Sequence, residues 1–179
     1  MSGARPHSGV PFADPATLPG AADDDRFMRE ALAAAREAAA HADVPIGAVV
    51  VRDGRVVARA HNRREVDADP TAHAELLALR EAAAALGRWR LTDTALYVTV
   101  EPCTMCAGAA VLARVALVVF AAPDERAGAV CSAAELLDAR WTNHRPRWRV
   151  HAAARPDAER LLTDFFATQR GPGDETPTG

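Results

Sequence analysis

The sequence predicts a layered α/β domain, and three observations predict it. Short β-branched runs alternate along the chain with longer alanine- and leucine-rich stretches of helical character. Two of the β-branched runs are joined through Asp53-Gly54, a hairpin signature, because the tight turn needs positive φ. Proline and glycine punctuate other junctions, at Pro70, Gly87 and Pro102. Strands alternating with helices call for a sheet covered by helices, with the antiparallel hairpin at one side.

Asp23-Asp24-Asp25 opens the first helix, which runs through an alanine-rich stretch to about His41. Acidic residues suit the positive end of the helix dipole, alanine is the best helix former, and Phe27, Leu32 and Ala35 can share one face. Ile46–Val51 and Val56–Ala58 form the hairpin. Asp69-Pro70-Thr71 then stops the chain and offers Thr71 as the cap of a helix from about His73 to Leu86, closed by Gly87. Ala95–Val100 is a third strand, and Pro102 suits the first turn of a helix over Cys103–Arg114. Val115–Phe120 is a fourth strand, Ala133–Ala139 a short helix and Trp148-Arg149-Val150 a fifth strand. A last amphipathic helix, Asp157–Gln169, turns Leu161, Leu162, Phe165 and Phe166 inward.

With 179 residues, the chain is one domain long enough to bury a core. The domain is expected over 23–170. Residues 1–22, rich in proline and glycine, read as a disordered leader, and residues 171–179 as a disordered tail. No stretch approaches the roughly eighteen consecutive apolar residues of a membrane span, and the leader lacks the apolar core of a signal peptide. Three cysteines, two of them in one motif, make no disulfide framework, which points to a reducing cytoplasm. All 21 basic residues are arginine, as the codon bias of a GC-rich genome would give.

A net charge of −3 gives no global attraction to nucleic acid. Between Arg140 and Arg155, however, five arginines stand with Trp141, His144 and Trp148 and no acidic residue. Two readings are open: a local surface that grips a nucleic-acid backbone and stacks on bases, or a solvated strand and turn.

The chemistry is concentrated in His73-Ala74-Glu75 and Pro102-Cys103-Thr104-Met105-Cys106. One imidazole and two thiols make three ligands, and a catalytic zinc keeps a fourth position open for water. Cys103 and Cys106 are three apart at a helix start, so they share a face where exposed N–H groups stabilise thiolates. Two thiolates offset the charge of the ion and weaken its acidification of water, so a neighbouring base is needed, and Glu75 fits that role. Its spacing sets a geometric demand, because residues two apart in a regular helix do not face each other. Two alternatives stand beside this: a Cys-x-x-Cys redox pair, or a structural zinc with Cys131 as fourth ligand. Cys131 otherwise reads as a small core residue.

At these residues the chain resembles the zinc-dependent nucleobase deaminases, through the His-x-Glu and Pro-Cys-x-x-Cys signature. Within them it resembles the bacterial tRNA-specific adenosine deaminases of the cytidine deaminase superfamily. Asp69–Glu75, Glu101–Ala109, Val44–Ala48, Asn62-Arg63, Leu96–Thr99, Asn143-His144 and Leu161–Phe166 carry that likeness, which spans about Arg26 to Arg170. It implies a three-layer α/β/α cytidine-deaminase-like sandwich with a mixed central sheet. It also implies a homodimer that converts the wobble adenosine of an arginine tRNA anticodon to inosine. One zinc per subunit would be held by His73, Cys103 and Cys106 with water as fourth ligand, and Glu75 would shuttle protons. Asn62 would contact the target nucleoside, Asp124 and Asn143 would lie near the RNA backbone, and Phe166 near the anticodon. A free-base deaminase for guanine or cytosine would use the same metal set. The chain departs from the family pattern at Arg64, where a proline is common, and at Trp89, where a tyrosine is common.

Overall fold

A computed structural model describes residues 18–169. In chain order they form α1 (Asp24–Ala40), β1 (Gly47–Arg52), β2 (Arg55–His61), α2 (Arg64–Asp67), α3 (Ala74–Leu86) and β3 (Ala95–Val100). Then follow α4 (Thr104–Leu112), β4 (Leu117–Ala122), β5 (Arg147–Val150) and α5 (Arg155–Gln169). Among these residues the strands make one mixed sheet in the order β2-β1-β3-β4-β5. β1 is antiparallel to β2 and β3, whereas β3, β4 and β5 run parallel.

Side-chain alternation divides the core into two. Ala48, Val50, Leu96, Val98, Val118 and Phe120 face α3 and α4, which meet them with Ala74, Ala78, Ala107 and Ala110. Val49, Val51, Tyr97 and Val119 face the other way, onto Phe27, Met28 and Ala31 of α1 and Ala158 of α5. The result is the expected three-layer α/β/α sandwich. β3 and β4 are buried along their whole length, which is why they read as apolar runs interrupted only by Thr99.

Local chemistry sets the junctions. Asp53 and Gly54 both have positive φ, 49° and 67°, so the two-residue turn matches the strand twist. α3 ends at Gly87 in the left-handed region. Arg64, where proline is common in the resemblance, is the first residue of the short helix α2, a position at which proline is tolerated as well. The amides of Glu65 and Val66 in α2 both point at the buried Asp43 carboxylate.

Asp24 of the acidic triplet is a core residue rather than a surface one. It accepts a hydrogen bond from the Tyr97 hydroxyl at 2.8 Å and a fork from Arg149 at 2.6 and 2.7 Å. Arg149 also donates to the Pro19 carbonyl, and Leu18 packs on the same core, so 18–22 is fastened to the sheet. The remainder of the expected leader and the tail 171–179 lie outside the described residues.

Two elements differ from expectation. Ala133–Ala139 is a series of turns, not a helix. The amides of Ala133 and Ala134 both return to the Gly128 carbonyl and that of Leu136 to Ala129, spans longer than a helical turn. The stripe on α5 is only half inward: Leu161, Leu162 and Phe165 are partly covered and Phe166 is 47% exposed. The helix meets the domain through Ala158 and Leu161, and burial fades toward its C-terminus. No helix among the described residues is long and apolar enough to cross a membrane.

Gly47 tests the packing of α1 on the sheet. A Cβ there would lie 2.1 Å from the Ala31 carbonyl oxygen and 2.4 Å from the Ala35 nitrogen, whereas nothing lies within 4 Å of one at Gly108 in α4. Gly47→Ala is expected to cost about 2 kcal/mol or more, and Gly108→Ala to stabilise by up to about 1 kcal/mol. Denaturant unfolding of the two variants checks this, and equal effects would contradict the packing.

Candidate active site

α3 and α4 begin at the same place, and that convergence builds the site. His73 sits just before α3 with extended backbone, φ −77° and ψ 147°. Cys103 holds the same position before α4, φ −70° and ψ 175°. Neither side chain caps its own helix. They meet each other instead: His73 Nδ1 lies 3.8 Å from Cys103 Sγ and 3.6 Å from Cys106 Sγ. A tetrahedral zinc, about 2.3 Å from sulfur and about 2.0 Å from nitrogen, holds such atoms about 3.6 Å apart. The donor set and its spacing therefore fit a zinc ion with one open position.

The cap that His73 does not provide comes from elsewhere. Asn62, buried at the end of β2, accepts the Ala74 N–H on Oδ1 at 3.0 Å. Thr71 was the expected cap, but its N–H and hydroxyl both bind Asp69 Oδ1 at 2.7 Å. The aspartate two residues away outcompetes the helix for it.

His73 lies outside the helix, so the two-residue spacing to Glu75 is no obstacle. Glu75 is 3% exposed, and its Oε2 has no protein partner. Burial pushes its carboxyl up to about 7. Hydrogen bonds from the Cys106 thiol and from His73 pull the Cys103 thiol down to about 3. The Cys106 thiol is raised, by its bond to Cys103 and by burial, and the His73 imidazole is raised by Cys103. Without metal, then, one thiolate is held by two protons that a metal ion must displace.

Glu101, just ahead of the ligand loop, is a second buried carboxylate at 3% exposure. Desolvation pushes its acidity down, but amide and hydroxyl donors led by Cys131 and Ser132 outweigh this and hold it below the usual carboxylate range. Sequence reasoning passed over it. The signal was a charged residue directly after the fully buried strand β3 and immediately before Pro102.

The other expected site residues are placed unevenly. Asn62 joins the triad through Ala74. Asp124 lies in the loop after β4 and turns Oδ1 to its own Arg126 and Ala127 amides. Asn143 is exposed and accepts a hydrogen bond from Arg114. Phe166 stands edge-on to Phe165 at 5.4 Å. Contacts among the described residues do not bring Asn143 or Phe166 to the triad. The basic and aromatic patch divides as well. Trp148 stacks on Phe120 and donates to Asp138, His144 is buried with Nε2 2.6 Å from the Val115 carbonyl, and Arg149 pairs with buried Asp24, whereas Arg155 is exposed and pairs with Glu159 one turn on. Arg140, Arg145, Arg147 and Trp141, the last 79% exposed, remain outward.

Comparison with known proteins agrees with this geometry. A family model described as MafB19-like deaminase matches residues 22–170. The tRNA-specific adenosine deaminase of Aquifex aeolicus (strain VF5) is 42% identical over 144 residues, covering 80% of this chain and 94% of that protein. The chain belongs to the tRNA-specific adenosine deaminase family. This deaminase also matches a solved structure from studies of A-to-I editing by tRNA:A34 deaminases at the wobble position of transfer RNA. The TM-score is 0.74 and the identity 43%, over 77% of this chain and 99% of that one. A guanine deaminase from Bacillus subtilis is less similar, with TM-score 0.55 and 31% identity over 85% of this chain and 97% of that one.

Two measurements check the site. Cys103→Ala is expected to lose bound zinc and Cys131→Ala to keep it, read as metal per chain. In zinc-free protein the Glu75 carboxyl ionises near 7 when folded, against an ordinary value of 4.5. Folding therefore retains a proton that the unfolded chain loses. Stability is unaffected below about 4.5, falls as the pH rises toward about 7, and stays lower above it by on the order of 3 kcal/mol. Zinc-free Glu75→Gln should thus melt above the parent protein at pH 8, with the gap closing near pH 4.5. Coincident melting curves at both pH values would contradict the assignment.

Proposed function

We propose that this deaminase hydrolyses the wobble adenosine of a tRNA anticodon, that of an arginine tRNA, to inosine. It does so in the cytoplasm as a homodimer with one zinc per subunit, held by His73, Cys103 and Cys106. The observation that carries the reading is the 42% identity to a tRNA-specific adenosine deaminase over 94% of that protein's length.

Zinc bound by the triad would supply an acidified water at its open position. Everything else falls to the chain. Two thiolates offset the charge of the ion, so the water needs a base. Glu75 is that base: it is buried beside the cluster, and its partnerless Oε2 is available to take the proton. The same carboxyl then returns protons to the purine ring nitrogen and to the departing amine, which leaves as ammonia. Asn62, its Oδ1 fixed by Ala74, presents its amide NH2 to the nucleoside. Asp124 and Asn143 meet the RNA backbone, and Phe166 stacks near the anticodon. Exposed Arg140, Arg145, Arg147 and Trp141 suit phosphates and unstacked bases, which supports an RNA substrate over a free base.

The test incubates purified protein with an arginine tRNA anticodon stem-loop and, separately, with guanine, cytosine and adenosine, and assays inosine and ammonia. Inosine is expected in the RNA, with Glu75→Gln slower by about 10²-fold or more. Turnover of guanine or cytosine without the RNA would replace this reading by the free-base one. Equal RNA turnover by Glu75→Gln would overturn the mechanism.

A further inference from the structure

Glu101 is buried without a cation: it forms no ion pair among the described residues. Its partners are five donors, and all come from the segment 124–132. The amides of Val130, Cys131 and Ser132 reach Oε1 at 3.0, 2.7 and 3.0 Å. The Asp124 amide reaches Oε2 at 3.0 Å, and the Ser132 hydroxyl donates to the same oxygen. Four of these five donors are main-chain groups, so the carboxylate fixes the course of a backbone rather than balancing a charge.

The same segment is fastened to the metal-ligand loop. Gly128 forms an isolated β-bridge with Cys103, and the Ala129 amide donates to the Pro102 carbonyl at 2.8 Å. Gly128 also lies against the carboxylate so closely that a Cβ would come within 2.4 Å of its Cδ and Oε2. Glu101, Pro102 and Cys103 thus each hold part of one loop, and that loop runs beside a zinc ligand.

We propose that Glu101 is a positioning residue, holding 124–132 against Cys103 as a wall of the pocket that receives the target nucleotide. This rests on the deaminase function above and extends it, assigning substrate fit to a residue that touches neither metal nor base. Glutamine at this position keeps the size but turns an NH2 group toward donors, so the backbone amides lose an acceptor and the wall shifts.

The experiment uses the full, zinc-loaded chain as Glu101→Gln and as Ser132→Ala, with the anticodon stem-loop as substrate. Glu101→Gln is expected to raise KM by about tenfold or more while kcat changes far less. Zinc per chain stays at the parent level, and amide exchange quickens at Val130, Cys131 and Ser132. Ser132→Ala keeps the carboxylate and removes one donor, so KM should rise by about threefold. It decides the matter if Glu101→Gln does not fold. An unchanged KM in Glu101→Gln, or in Ser132→Ala where the former fails to fold, overturns the proposal even if melting temperature drops. If the parent protein leaves RNA untouched, the substrate reading fails instead. The cobalt(II)-substituted proteins then judge Glu101: displaced d–d bands in the variant support the positioning role, and superimposable bands overturn it.

Discussion

One imidazole and two thiols must meet at one point although they come from the starts of two separate helices, and the rest of the architecture accommodates that demand. A residue just before a helix normally gives its side chain to the helix's own amides. His73 and Cys103 do not, and their extended backbones aim imidazole and thiol at each other. The first amide of α3 therefore needs another partner, which Asn62 brings from the end of β2. Both helices also direct their positive ends at the cluster, where thiolates form. Alanines at 74, 78, 107 and 110 keep these helices close to the sheet, so the abundance of alanine has a packing use whatever the codon bias that favours it.

The buried carboxylates separate structure from chemistry. Asp24 is answered by Arg149 and Tyr97, and Glu101 by five donors, so each stabilises the part of the fold it ties together. Glu75 is equally buried but keeps an oxygen without a protein partner and carries a raised pKa. Burying such a group costs stability. That cost is explained if the missing partner is a water molecule to be deprotonated.

Much of this was legible in the residues. Asp53-Gly54 specifies its turn through φ alone, Gly87 ends α3 by the same rule, and the apolar runs of β1, β3 and β4 announce buried strands. The cluster of His73, Cys103 and Cys106, which could hold a metal, was readable because imidazole and thiols are chemically distinctive donors and the two cysteines are three apart. What escaped depended on partners distant in sequence. Ala133–Ala139 has helical composition, yet Gly128 and Ala129 claim its amides. Thr71 has the chemistry of a cap, yet Asp69 holds it. Arg149 and Trp148 of the arginine and tryptophan patch face inward because Asp24, Asp138 and Phe120 lie where the fold brings them. Residue identity alone cannot announce a neighbour more than a hundred positions away, as Arg149 is from Asp24.

The central claim is a three-ligand metal centre with one position left for water. X-ray absorption at the zinc edge of the loaded protein tests it most directly. The account predicts two sulfur scatterers at about 2.3 Å and two nitrogen or oxygen scatterers at about 2.0 Å, one from His73 and one from solvent. Three sulfurs, with Cys131 recruited as a ligand, would mean a closed structural site and would contradict it.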